Sequence, residues 1–173
     1  MTRRDAEVTR DPQDEAIERL LIASTLGQWA AAVEVQRARI GDRSATEAVN
    51  QLDAIFFAIA VRNVLRAAEW AKKLLPADVG REIERFEERV PRAQDVRDVL
   101  EHFDEYLQGT GKLQRQGKIS NPTTFYVRYE DEFLLHLADD LELDVQSAAH
   151  AASHLADAVA SLLTGQATRP LTG

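Results

Sequence analysis

The chain has 173 residues, 45% of them hydrophobic, a net charge of −8 and no cysteine. That length is enough for one domain with a packed core, and the lack of cysteine excludes disulfides, thiolate metal sites, iron–sulfur clusters and cysteine nucleophiles. The acidic balance argues against a general polyanion binder, because neutralising phosphates requires a positive surface.

The opening residues, MTRRDAEVTRDPQDEA, hold no apolar run of signal-peptide length. No stretch approaches the roughly 20 apolar residues of a membrane span. These features predict a cytoplasmic protein with no membrane partner. Residues 1–13 are expected to form a flexible tail, 14–165 a single helical domain, and 166–173 a second flexible tail.

Helical spacing predicts a first helix from Asp14 to Arg39, with Ile17, Leu20, Leu21, Ala31, Val35 and Ala38 as its buried line. Ile22, Leu26, Trp29 and Val33 widen that face, and Gly41 and Asp42 end the helix. Ser44 and Glu47 have the spacing of a capping box for the second helix. Its buried line reads Val49, Leu52, Phe56, Ile59, Ala60, Ala67, Trp70 and Leu74, and Pro76 closes it. Val79, Ile83, Phe86 and Val90 mark a shorter third helix. Pro91 breaks that helix and suits the first turn of a fourth. The fourth is read as continuous from Ala93 through Val96, Val99, Leu100 and Phe103 to Leu107, with Gly109 and Gly111 as its stop.

The period then changes from helical to alternating. Phe125, Val127 and Tyr129, an acidic turn at Glu130-Asp131-Glu132, and Phe133, Leu135 and Leu137 together predict a β-hairpin. Asp144 caps a last helix whose core line runs from Val145 to Leu163, and Gly165 ends it. The expected fold is therefore mainly all-α: an antiparallel bundle of about five helices with one small β-hairpin before the last helix.

Few residues invite chemistry. The GTGK at 109–112 follows a helix rather than a strand, and Leu113 stands where a phosphate-binding loop requires Ser or Thr. From Gln108 to Tyr129 the chain carries Lys112, Arg115, Lys118 and Arg128 and no acid. That run is either a well-solvated loop or a local phosphate contact. His150 and His154 lie one turn apart on the last helix, where two imidazoles can approach one metal ion, or where solvated polar residues are expected anyway. His136 falls on the alternate face of the second predicted strand, as a surface or hairpin-packing histidine. Asn63 sits on the second helix's expected buried line, where an amide needs a partner within the core or across an oligomer contact.

Arg97 and His102 stand at R-x4-H spacing in RDVLEH, with polar Asp98 after the arginine. This segment resembles the R-x4-6-H motif of the higher-eukaryote and prokaryote nucleotide-binding (HEPN) family, over roughly residues 44–107. The resemblance implies a small helical bundle that dimerises, and an activity without cofactors. It also implies a place among metal-independent RNases, toxins of toxin–antitoxin pairs, or RNA-binding modules, and hence RNA and an antitoxin-type protein as partners. Arg97 and His102 would be catalytic, supported by Asp98 and Asn63, with Lys112, Arg115 and Lys118 binding phosphate. On one helix the two motif residues flank the core face on opposite sides. A two-fold axis beside the helix is therefore expected to bring Arg97 of one subunit towards His102 of the other. Self-association through the second or fourth helix follows. The residues also allow a plainer reading, an Arg97–Glu101 pair and a surface histidine, which would suit a non-catalytic helical interaction or dimerisation protein. A bundle enzyme holding a metal on His150 and His154 is the third possibility.

Overall fold

The computed structural model describes residues 11–41, 47–120, 126–129, 133–138 and 141–165. Ser44, Phe125, the acidic turn at 130–132 and most of both expected tails lie outside these residues, as do the side chains of Glu47, Val49, Phe103, Val127, Arg128, Tyr129 and Phe133.

Helix α1 runs Pro12–Ile40, opened by Asp11, whose carboxylate accepts the Gln13 N–H at 2.9 Å, and by Pro12 in its first turn. It begins two residues before the expected start. Helix α2, Glu47–Lys72, packs antiparallel along it. Near one end of the pair the Trp70 indole donates to Glu18 at 2.8 Å, and near the other Arg39 pairs with Asp53 at 3.0 Å. Helix α3, Pro76–Arg89, buries the expected Val79, Ile83 and Phe86, with Val90 behind them. These four share one face, and the opposite face is charged, so their inward direction is unambiguous.

The expected long fourth helix is broken. Helix α4 ends at Glu101, His102 leaves the helical region at φ −117° and ψ 34°, and α5 spans only Phe103–Leu107. Leu107, expected in the core, is 62% exposed. A further single turn, α6, covers Lys112–Arg115.

The hairpin forms as expected. Strand β1 (Tyr126–Tyr129) pairs antiparallel with β2 (Phe133–Ala138), and a strand not anticipated, β3 (Leu141–Asp144), adds to the other edge of β2. Asp144 then caps α7 (Val145–Thr164) by accepting the Ser147 N–H at 2.8 Å, and Gly165 ends it at φ +69°, a conformation that favours glycine. The inner face of α7 is rich in alanine, with Ala148, Ala149, Ala152 and Ala156 all buried, and small side chains let α1, α2 and α3 pack closely around it. No helix among the described residues is long and apolar enough to cross a membrane.

The largest departure from expectation concerns which faces of α1 and α2 are buried. The inward residues of α1 are Ile22, Leu26, Val33 and Ile40; Ile17, Leu20, Leu21 and Val35, expected inside, are exposed. On α2 the buried set is built around Phe57, Val61, Val64 and Leu65, whereas Leu52, Phe56 and Trp70 face outward. Asn63 is accordingly half-buried on the outer side rather than set in the core.

Candidate functional site

Arg97 and His102 come first, because the motif rests on them. One guanidinium nitrogen of Arg97 lies in close contact with the Glu101 carboxylate one turn on, and its Nε is buried with no hydrogen-bond partner among the described residues. The carboxylate beside Arg97 competes with any incoming phosphate for the same cation. His102 stands at the break between α4 and α5, its side chain 48% exposed and 3.7 Å from Glu105. Because the helix is interrupted there, the separation expected along an ideal helix does not apply to this pair.

Asp98 has a structural task. Its Oδ2 accepts the Tyr106 hydroxyl at 2.7 Å, and the same phenol oxygen accepts the Leu113 N–H at 3.1 Å. Gln114 completes the corner by accepting from the Gly111 N–H at 3.0 Å and donating to the Tyr106 carbonyl at 3.1 Å. Tyr106 is 1% exposed, and its pKa is pushed up to about 12, chiefly by burial and further by the Asp98 carboxylate, against the lowering effect of the Leu113 N–H. This network fastens α6 to α4. It presents Lys112, Arg115 and Lys118 to solvent, with Arg115 also donating to the Thr110 carbonyl. Residues 111–118 of the basic segment thus form an anchored corner.

The other histidines are dispersed. His150 and His154 are exposed on the outer side of α7 as their spacing implied, and no group of three or more metal-ligand side chains gathers among the described residues. His136 is buried on β2, with Nδ1 2.8 Å from Glu142 on β3. A cleft of about 150 Å³ lies where the α3–α4 corner meets β3 and the start of α7, lined in part by Arg89, Arg92, Glu142 and Ser147. It takes in neither Arg97 nor His102.

The feature that sequence reasoning misassigned is the outer face of α1 and α2. The outward positions of α1 are Ile17, Leu21, Ser24, Gln28, Ala31, Val35 and Ala38, alternately four and three apart. That is the spacing of a heptad repeat, which lines one stripe along a helix. The outward positions of α2, Leu52, Phe56, Ile59, Asn63, Arg66 and Trp70, follow the same rule. Seven large hydrophobic side chains on these two helices are between 37% and 65% exposed. From Leu20 to Val33 the chain contains no charged residue, although half of that stretch faces outward. A solvated helix face in a chain with 29% charged residues would carry charge. The signal was present in the sequence as apolar residues on both faces of one helix with a charge-free run between.

Compared with family models, curated proteins and solved structures, the chain matches none.

Proposed function

We propose that the chain is a non-catalytic helical interaction protein whose working surface is the outer apolar face of α1 and α2. The observation that carries this reading is the heptad-spaced apolar seam on both helices, left exposed in a chain that otherwise segregates apolar residues well. Large contiguous apolar patches on a soluble fold mark sites of association. A photo-reactive amino acid at position 56, on this face, should capture a discrete protein adduct in cells, and one at Arg85, on the charged side of α3, should not. Absence of any adduct from position 56 would sink the reading.

A second reading keeps the resemblance of RDVLEH. It is supported by His102, an exposed imidazole one short helix before an anchored basic corner, and in it histidine would move the proton of an RNA 2′-hydroxyl and Arg97 would hold the phosphate. It requires Arg97 to leave Glu101, and a second subunit to bring the complementary residue. His102→Ala should then abolish cleavage while leaving the melting temperature within a few degrees of the parent, since exposed positions rarely shift stability beyond about 0.5 kcal/mol. Parent protein that cleaves no RNA would remove this reading.

A further inference from the structure

We infer that the occupant of the α1–α2 face is a second copy of this chain, related by a two-fold axis that crosses both helices near Gln28 and Val61; this rests on the interaction reading above and names its partner. A two-fold axis perpendicular to the helices, lying in the contact plane, lays α1 antiparallel on α1 of the second copy and α2 antiparallel on α2. Such an axis works only if each seam is centred on it and both centres stand at the same level. The α1 seam, from Ile17 to Ala38, has its middle at Gly27 and Gln28; the part of the α2 seam whose side chains are described, from Leu52 to Trp70, has its middle at Val61. Counting inward from the Glu18–Trp70 and Arg39–Asp53 links places Gln28 level with the Ala60–Val64 turn of α2. The two centres lie within about one helical turn of each other. An unrelated partner would not require this.

The side chains also complement themselves about that axis. Leu21 meets Val35 of the second copy, and Ser24 meets Ala31, so large and small positions are matched along α1. Gly27, with open space where a side chain would stand, leaves room at the centre for close approach. On α2, Phe56 lies opposite Arg66 of the second copy, an arrangement that places a guanidinium over an aromatic face and buries its aliphatic stem. Gln28 beside the axis is an amide able to pair with its own copy across the seam. A polar position of this kind fixes register and orientation at some cost in stability. Two helices about 30 Å long with axes about 10 Å apart offer a footprint on the order of 600 Å². That is close to the roughly 800 Å² per partner of a specific complex.

The test uses the full chain. Light scattering at tens of micromolar should report a dimer, and Leu21→Glu combined with Phe56→Glu should weaken it by at least about 100-fold while leaving far-UV dichroism unchanged, because both positions are exposed in each copy. The chain has no cysteine, so Gln28→Cys alone should cross-link to itself on mild oxidation, and Arg85→Cys should not. A monomeric parent, a dimer indifferent to the two glutamates, or a Gln28→Cys variant that fails to cross-link would each overturn the inference. A monomer that is still captured at position 56 by a different protein would leave the interaction reading standing and remove only the second copy.

Discussion

Tyr106 decides more about the α4–α6 region than either residue of the R-x4-H motif. Its hydroxyl donates to Asp98 and accepts from Leu113, so one buried oxygen ties two elements together. Tyr106→Phe keeps the ring and strands both partners, which should cost roughly 1–3 kcal/mol in chemical denaturation. The same phenol predicts an alkaline limit. Its pKa in the fold, about 12, lies above the ordinary value of 10.0, so the neutral form is favoured by folding. The associated stability is complete below pH 10 and is lost as pH rises towards 12. A denaturation series across that window should show the loss in the parent and a shallower one in Tyr106→Phe; identical slopes would mean the phenol is not the group responsible. Gly111 belongs to the same corner. A Cβ placed there would run into the Tyr106 ring, which is buried and held at its hydroxyl by Asp98 and the Leu113 N–H. Gly111→Ala should therefore destabilise by about 1–3 kcal/mol, the usual range for overpacking, and unchanged stability would show that the ring has somewhere to go.

Among the elements, legibility followed the number of apolar faces. Helix α3 has one, and the residues expected inside it are inside. Helix α7 has one as well, and its cap, core line and terminal Gly165 fall where the sequence puts them. Helices α1 and α2 have two each. Hydrophobic period identifies an apolar stripe but not which stripe meets the core. On α1 the stripe of Ile17, Leu21 and Val35 is as regular as that of Ile22, Leu26 and Val33, and only tertiary packing separates them. The break at His102 was illegible for another reason. VLEHFDEYL contains no glycine or proline, so nothing local interrupts it. The Tyr106–Asp98–Leu113 network and the tight Gly111 approach are long-range facts of packing. Asn63 follows the same rule: period alone puts it on an apolar line, and packing turns that part of the line outward, so its amide lies on the outer seam.

At the scale of the whole molecule, charge separates the two readings of function by sign. Each copy carries a net −8, so two copies brought face to face repel one another through the surrounding solvent. The seam itself is almost uncharged, so the association proposed for it would draw on removing apolar surface from water, which salt does not screen. Raising ionic strength shortens the screening length from about 10 Å at 0.1 M to about 3 Å at 1 M and relieves the repulsion. Association through the α1–α2 face should therefore tighten as sodium chloride is raised, read as a falling dissociation constant in sedimentation. Binding of RNA at Lys112, Arg115 and Lys118 would do the opposite, because each phosphate contact releases counterions and loses affinity with salt. A dimer that loosens with salt would place the contact on charged residues and away from the seam. Since the apolar term has little enthalpy near room temperature, the dimer should also weaken on cooling towards 4 °C. A contact made chiefly of hydrogen bonds and ion pairs would not share that combination of salt and temperature responses.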